Sequence, residues 1–476
     1  MTSAATHHSI IRRLSRNVAF MVADSAVANL ASVGTTLAVS RLYDDPSILG
    51  KVAMLLTIAS VGILLADLGN GQASTLLISR RLAGVGGPSP GRSAGAGLFQ
   101  AAAGGLCLGV GVFFLPDLIR IVAQYVGQAD RAREIADLRG PIRLVAVWVF
   151  LAPLGQQAAG VFAGFQKMQY TFIQDVSTQV PRLAICLAVA IPLLPWTCFI
   201  WGWTAWYFVA AAIGLGLLWR VLSGAGERLS LTGYAPLSRL RAGAALFTPI
   251  AAGFILQYLA IAIIWWINLG EMGSRSVGFF TPLWTLTRGY EVILIPLAIA
   301  LFPAVSDAHG TRDPAVLTRL VRRVLLATGL VAVGILALFA LAPGLLLGLF
   351  GADYRTMVIP LIVLAFGVAL ESQRCALDPL LNGSGLARWV TAIEWGKFAL
   401  FLLLGIPLYR AHYLTGISLA FVGAFVPAWA AKMLLVRVRL GVRVLGPAAV
   451  LAVLLAAVAA AALVWRLPMI DFSKVW

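Results

Sequence analysis

Ionisable side chains stand inside several long apolar stretches of this sequence. A charge at the centre of a bilayer costs at least about 2.5–3.5 kcal/mol on insertion scales, so it is expected to face a cavity or a partner. Arginine binds phosphate oxygens bidentately, and carboxylates bind and release cations. The bases are Arg182, Arg288, Arg374 and Lys397, and the acids are Asp24, Asp67, Asp175, Glu291, Glu371, Asp378 and Glu394.

The arginines are the candidates for holding an anionic substrate in a cavity. Arg288 lies on one predicted helix face with Trp284 and Glu291. The nearest helical acid to Arg182 lies two turns away, which makes Arg182 the least neutralised base. We interpret Arg182, Arg288 and Arg374 as substrate-binding residues that contact a phosphate group.

The spacing of the charges also supports a purely structural alternative. Residues three or four apart share a helix face, so opposite charges at that spacing neutralise each other and let a span insert. For Glu394 with Lys397, near one end of a span, we favour this alternative. The pairs are Arg288 with Glu291, Arg374 with Glu371 and with Asp378, and Lys397 with Glu394.

The acids are candidates for coupling to protons or sodium ions. Asp24 is the best of them, because it lies near mid-depth without an oppositely charged helical neighbour; a hydrogen bond to an adjacent helix is the alternative. Asp175, Glu291 and Glu394 are further candidates. Asp67, in Ala66-Asp67-Leu68-Gly69, is expected to cap a break in its helix.

The composition defines the elements that must position these residues. The 476-residue chain is 60% hydrophobic and only 12% charged, with a mean hydropathy of +0.91. Soluble domains carry about 25% charged residues, so this chain is expected to be an integral membrane protein. Its net charge of +17 lies in short runs between apolar segments. That pattern favours cytoplasmic loops and anionic lipid headgroups over nucleic acid.

Metal and cofactor sites are not expected. The four cysteines and four histidines are scattered and show no ligand spacing, so the only predicted small ions are the coupling H+ or Na+. The cysteines are Cys107, Cys186, Cys198 and Cys375, and the histidines are His7, His8, His309 and His412.

Roughly thirteen apolar segments are long enough to span a bilayer. Lys and Arg are more frequent at the N-terminus and in alternate loops, which predicts a cytoplasmic N-terminus. The predicted fold is an all-α polytopic membrane helical bundle of about 12–14 spans in two pseudo-symmetric six-helix lobes. The segments are 17–40, 49–77, 93–115, 141–164, 169–193, 198–220, 241–269, 276–305, 320–342, 356–381, 389–408, 413–436 and 444–465.

A faint internal repeat supports two related lobes. When the turn at Gly164 is aligned with the turn at Gly383, Tyr170 meets Trp389 and Asp175 meets Glu394. We therefore predict related halves. The predicted divisions are an N-lobe (1–220), a linker (221–238), a C-lobe (239–440), and an extra C-terminal span with a short tail (441–476).

Several short segments, in this order, resemble the Wzx-type polysaccharide flippases of the multidrug/oligosaccharidyl-lipid/polysaccharide exporter superfamily. The resemblance covers about residues 10–440. Its segments are Arg41-Leu42-Tyr43 to Ala66-Asp67-Leu68-Gly69, Gly164-Phe165-Gln166-Lys167, Leu301-Phe302-Pro303-Ala304-Val305-Ser306, Leu349-Phe350-Gly351-Ala352-Asp353-Tyr354 and Leu380-Leu381-Asn382-Gly383-Ser384-Gly385.

The resemblance implies a bacterial inner-membrane flippase whose two six-helix lobes surround a central cavity. Its cargo would be a polyprenyl-pyrophosphate-linked oligosaccharide moved by alternating access, with membrane lipids and polysaccharide polymerase and export proteins as partners. Related flippases carry cavity arginines on the first, second and eighth helices. In this sequence, Arg288 corresponds to the arginine of the eighth helix only because it lies on the predicted eighth helix. The predicted first helix carries Asp24 and no cavity arginine. Family members usually have twelve or fourteen spans, whereas the hydropathy predicts about thirteen.

Other functions remain as alternatives at this point. A lipid II flippase would have two additional C-terminal helices, and a multidrug/cation antiporter of the same superfamily would have a site dominated by acids. An enzyme that polymerises or ligates sugars would need a sizeable exterior loop, and the predicted loops are short. Gln156 and Gln157 could bind sugar hydroxyls or bond to a neighbouring helix.

Overall fold

The structure is a computed structural model that describes residues 2–82, 84, 86–125, 129–231, 236–268, 271–292, 294 and 314–441. All regular secondary structure in these residues is helical. The helices before residue 290 are α1 (Thr2–Leu42), α2 (Pro46–Asp67), α3 (Asn70–Leu82), α4 (Pro90–Tyr125), α5 (Ala129–Gly164), α6 (Met168–Ala190), α7 (Thr197–Gly224), α8 (Pro236–Ile267) and α9 (Glu271–Thr287).

Three of the five later helices that the structure describes have 14 residues or fewer. A 3-10 turn, Arg288–Tyr290, follows α9 directly, and a second one, Asp353–Met357, precedes α12. The helices are α10 (Pro314–Leu341), α11 (Pro343–Gly348), α12 (Val358–Glu371), α13 (Arg374–Gly383) and α14 (Ala387–Leu440). Helix α14 is divided by a kink at His412 and Tyr413, where the backbone leaves helical geometry.

The helices confirm an all-helical polytopic membrane protein. Eight helical segments among the described residues are long and apolar enough to cross a membrane. Each of the first twelve predicted spans overlaps a helix, and the kink in α14 separates the eleventh from the twelfth. The end of the eighth span, the Leu301–Ser306 motif and the predicted span 444–465 lie outside the described residues.

The break between α2 and α3 has the cap that the sequence predicts. Leu68 and Gly69 adopt left-handed backbone angles, with φ of 43° and 78°. The Asp67 carboxylate then accepts a hydrogen bond from the Gly71 amide at 3.2 Å. Because it supplies an acceptor for a free amide of the first turn of α3, it stabilises the restart of the helix.

The chain divides by packing into two compact units. The first contains residues 1–258 and 268–275, and the second contains residues 259–267 and 276–476. In the first, Ile78, Phe162 and Leu218 belong to a buried apolar cluster. In the second, Leu377 and Val436 belong to another. The lobe boundaries at 220 and 239 stay a prediction.

The residues that follow α7 pack against the start of α4. The Gly91 amide donates to the Glu227 carboxylate at 3.2 Å, and the Ser230 amide donates to the Gly91 carbonyl at 3.3 Å. A Cβ at Gly91 or Gly95 would collide with the backbone of Arg228 or Ser230. This part of the predicted linker is therefore attached to the first unit.

Candidate functional site

The first unit contains a cavity of about 660 Å³. Helices α2, α3, α5, α6 and α7 supply most of its wall, and Met21 of α1 and Tyr258 of α8 complete it. The α5 side of the wall is built from small residues, which leaves the space open; these are Ala152, Gly155, Ala159, Gly160 and Ala163. We call it the first-unit cavity.

One face of α6 supplies polar groups to the first-unit cavity. Thr171, Gln174, Asp175 and Thr178 are spaced by three, one and three residues, the pattern of a single helix face, and all four line the cavity. The Gln174 side chain fits because its neighbours are glycines. A Cβ on Gly155 would lie 2.7 Å from the Gln174 amide nitrogen. Apart from its acids, the wall is therefore uncharged, and it is rich in hydrogen-bonding groups.

Two acids from different helices meet beside this cavity. The Asp24 carboxyl of α1 and the Asp175 carboxyl of α6 lie close enough to interact. Two neighbouring carboxyl groups repel each other when both are ionised, which favours the binding of one proton or a cation. The neighbouring-helix group beside Asp24 is thus itself an acid, and the role of Asp24 stays a prediction.

The adjacent glutamines of α5 have different environments. Gln157 is fully buried and its amide nitrogen donates to the Ser74 hydroxyl of α3 at 2.7 Å. Arg239 also donates to Ser74 and, at 2.8 Å, to the Asn70 side chain, which fastens the start of α8 to α3. Gln156 instead lines the first-unit cavity. Gln157 therefore has a structural role, and only Gln156 faces the cavity space.

The second unit contains an ion-pair network in which positive and negative side chains alternate. Its most buried contacts centre on Glu394, which lies 2.5 Å from the Lys397 ammonium and 2.6 Å from the Lys432 ammonium. Lys397 continues to Glu371 at 2.7 Å, and Lys432 continues to Asp378 at 2.6 Å. Because each buried charge has opposite charges beside it, the network can exist within the membrane.

Two arginines share one carboxylate at the other end of the network. Glu291 lies 2.6 Å from Arg288 and 3.7 Å from Arg374, and Arg374 also lies 3.7 Å from Glu371. Both arginine side chains are 25% exposed, whereas those of Lys397 and Lys432 are almost fully buried. The arginines are therefore the cations that a molecule from outside the protein can reach.

Irregular helix geometry positions these arginines. Arg288 begins the 3-10 turn after α9, and Arg374 begins α13 after two non-helical residues, Ser372 and Gln373. The Gln373 side chain is fixed by the Thr328 hydroxyl, which donates to it at 2.9 Å. Short 3-10 pieces and helix breaks inside membrane helices are common at functional sites.

Arg182 lies apart from these arginines. It belongs to α6 in the first unit, where its guanidinium stacks 4.8 Å from the Trp203 ring centre and donates to the Gln179 side chain at 3.3 Å. Arg182 is not among the residues that line the first-unit cavity. Its assignment to the substrate stays a prediction.

The structure sorts the predicted residues into two groups. Arg288, Arg374, Glu291 and Glu394 belong to the ion-pair network, and Asp24 and Asp175 belong to the acid pair. The sequence analysis missed two kinds of residue. It did not count Lys432 among the bases inside spans, although residue 432 lies within the predicted segment 413–436. It gave no signal for Gln174 or Thr171, because uncharged polar residues are common in membrane helices.

Solved membrane transporters share this helical architecture. A multidrug resistance MATE family transporter of the MOP superfamily, in an inward-facing conformation, aligns with a TM-score of 0.69 at 16% identity, covering 89% of this chain and 98% of that one. The profile of the polysaccharide biosynthesis protein family matches residues 14–309, and the chain belongs to that family.

Two further solved structures share the fold. An outward-facing MATE family transporter aligns with a TM-score of 0.63 at 16% identity, covering 90% of this chain and 95% of that one. A MOP superfamily transporter from Pyrococcus furiosus, described as having a binding pocket of reverse polarity, aligns with the same values. No curated protein matches the sequence. At these identities the likeness concerns the fold.

Proposed function

We propose that this protein is a flippase that moves a polyprenyl-pyrophosphate-linked oligosaccharide from the cytoplasmic to the periplasmic leaflet of the bacterial inner membrane. The movement would occur by alternating access and serve surface polysaccharide export, with the N-terminus in the cytoplasm and without a catalysed reaction. Membership of the polysaccharide biosynthesis family supports the type of cargo.

The observation that carries the proposal is the pair of arginines on Glu291. Arg288 and Arg374 are each partly exposed and converge on one carboxylate. A pyrophosphate has more negative charge and more acceptor oxygens than a carboxylate, so it would compete with Glu291 for both guanidinium groups. Since the two lysines of the network are already held by three acids, these two arginines are the cations suited to an anionic cargo.

The proposal is tested on a strain that lacks the protein. We expect complete lipid-linked repeat units to accumulate in the cytoplasmic leaflet, with loss of surface polymer, measured by mass spectrometry of extracted lipids and by leaflet accessibility. Unpolymerised units in the periplasmic leaflet would indicate a polymerase or ligase instead. Unchanged lipid-linked sugars would contradict a role in this export.

Arginine variants test the assignment of the site in the complemented strain. Arg288→Ala and Arg374→Ala should each reduce surface polymer about 10-fold or more, because a charge-assisted hydrogen bond contributes about 1.5–3 kcal/mol. Arg437→Ala is the matched control, since Arg437 is exposed on α14 and outside the network. Membrane protein levels are measured by immunoblotting. Wild-type export by both site variants would refute the assignment.

Energy coupling is assigned to the acid pair in the first unit. The Asp24 and Asp175 carboxyls can hold one proton or one sodium ion between them and release it when the helices separate. Asp67 is the other acid on the cavity wall. Glu291 and Glu394 remain candidates, but each is flanked by two cationic side chains, which oppose the binding of a further cation.

If the acid pair couples transport to an ion gradient, a neutral substitution of Asp24 should remove that coupling. In proteoliposomes, Asp24→Asn should abolish the stimulation of transport by an imposed proton or sodium gradient, while leaving downhill movement of the cargo. Comparing the two gradients separately identifies the ion. A variant that still responds fully to the gradient would remove Asp24 from the coupling mechanism.

A multidrug/cation antiporter is the second candidate, because an acid pair beside a cavity also suits a cationic substrate. In such an antiporter, Arg288 and Arg374 would have a structural role only. This candidate predicts that the deletion strain becomes sensitive to cationic drugs while its lipid-linked sugars stay unchanged.

A further inference from the structure

The first-unit cavity contains buried polar atoms that have no hydrogen-bond partner among the described residues. They are the side-chain oxygens of Gln72, Thr171 and Gln174, and all three residues line the cavity. The Gln174 side chain belongs to a residue that is only 7% exposed. An unsatisfied buried acceptor costs about 1–3 kcal/mol, so this wall is suited to a ligand that offers hydrogen-bond donors.

The charge of the wall restricts that ligand. Among the described lining residues there is no Lys or Arg, whereas Asp67 and Asp175 are both present. A phosphate would be repelled by these acids. A hydroxyl group both donates and accepts, so it can satisfy amide oxygens and threonine hydroxyls at the same time.

The size and the aromatic content of the wall fit a ring that carries several hydroxyls. A volume of about 660 Å³ falls within the roughly 300–1,000 Å³ that is usual for small-molecule sites. Tyr207 and Tyr258 lie on the wall, and the Tyr207 ring is held by stacking on Trp148 with centroids 5.3 Å apart. A fixed aromatic ring offers an apolar surface for the C–H groups of a sugar.

We propose that the first-unit cavity binds a sugar ring of the lipid-linked oligosaccharide, with Gln72, Thr171 and Gln174 hydrogen-bonded to its hydroxyls. This inference rests on the proposed flippase function and assigns the glycan to residues other than the arginines. The first-unit cavity then contributes to glycan specificity. The acid pair, Asp24 and Asp175, lies beside this cavity and responds to a sugar bound in it.

Two threonines on the same face of α6 provide a matched pair for the test. The Thr171 hydroxyl has no hydrogen-bond partner in the described part of the protein. The Thr178 hydroxyl, in contrast, already donates to the backbone carbonyl of Gln174 at 2.9 Å. Both residues line the cavity. Thr171→Val removes a hydroxyl that no described protein group uses, and Thr178→Val removes one that its own helix uses.

The experiment measures binding to the full-length protein in lipid nanodiscs. The probes are the lipid-linked oligosaccharide pool extracted from the deletion strain and undecaprenyl diphosphate, which lacks sugar. We expect Thr171→Val and Gln174→Leu to weaken binding of the glycan probe about 3- to 10-fold, the contribution of one hydrogen bond. Thr178→Val should bind it like wild type, and none of the three should change binding of undecaprenyl diphosphate.

A glycine substitution tests Gln174 without removing its amide. A methyl group at Gly155 would displace the flexible end of Gln174 from its position between α5 and α7. Gly155→Ala should therefore weaken glycan binding to a similar extent while the protein still folds, which is checked by its thermal unfolding. Glycan binding equal to wild type in both Gly155→Ala and Gln174→Leu would overturn the role of Gln174.

The outcomes separate this inference from the proposed function. If Thr171→Val binds the glycan probe like Thr178→Val, or if wild type binds both probes equally, the sugar site is refuted while the flippase stands. If the same variants change binding of tetraphenylphosphonium and not of the glycan, the cavity holds organic cations instead. If Arg288→Ala leaves binding of both probes unchanged, the proposed function itself loses its site.

Discussion

Asp175 and Glu394 occupy corresponding places in the two halves of the predicted sequence repeat, yet their surroundings have opposite charge. Asp175 is paired with another acid, Asp24, beside a cavity. Glu394 lies between two lysines, Lys397 and Lys432, and is almost fully buried. The same kind of side chain thus has an acid beside it in one unit and two lysines beside it in the other, which fits the proposed exchange of a cation only in the first.

This difference shows that an acid inside a membrane helix does not have one meaning. Its role depends on the charges that neighbouring helices bring to it. An acid pair is unstable when fully ionised and so responds to protons or cations. A carboxylate between two ammonium groups is stable when ionised and resists both.

The largest expected effect is that of removing a lysine from the network. Lys432→Met would leave Asp378 and Glu394 buried without this cation, and breaking a buried ion pair costs about 3–5 kcal/mol. We expect a large fall in thermal stability in detergent, measured by intrinsic fluorescence. Arg437→Met, on the exposed side of the same helix, is the control. Equal stability of both variants would show that the network is not structural.

The direct comparison uses neutral substitutions of the two acids. Glu394→Gln should lower the free energy of unfolding by about 1–3 kcal/mol, because it removes a charge that two lysines contact. Asp175→Asn should leave stability unchanged or raise it, because it relieves the repulsion from Asp24. Export should fall in the second variant despite its stability. The opposite order of stabilities would contradict the distinction between the two units.

The smallest expected effect is that of Arg182→Ala. Stacking of an arginine on an aromatic ring contributes about 0.5–1 kcal/mol at accessible sites, so the melting temperature should fall only slightly. We expect export to decrease less than in Arg288→Ala, because Arg182 already contacts Trp203 and Gln179. A loss of export equal to that of Arg288→Ala would return Arg182 to the substrate site.

Several features followed from the sequence alone. The apolar segments predicted a helical membrane protein, because a backbone in lipid must satisfy its own hydrogen bonds. The helix break capped by Asp67 was predicted because it depends on neighbouring residues only. The pairing of Arg288 with Glu291 was predicted for the same reason, since it spans three residues of one helix.

The tertiary structure alone decided which distant charges meet. The sequence contains no mark that joins Asp24 to Asp175, or Lys432 to Glu394 and Asp378, because these contacts connect separate helices. Gln174 likewise reaches the first-unit cavity only because Gly155 of another helix leaves room for it. Helix periodicity specifies which residues share a face, and helix packing specifies what that face meets.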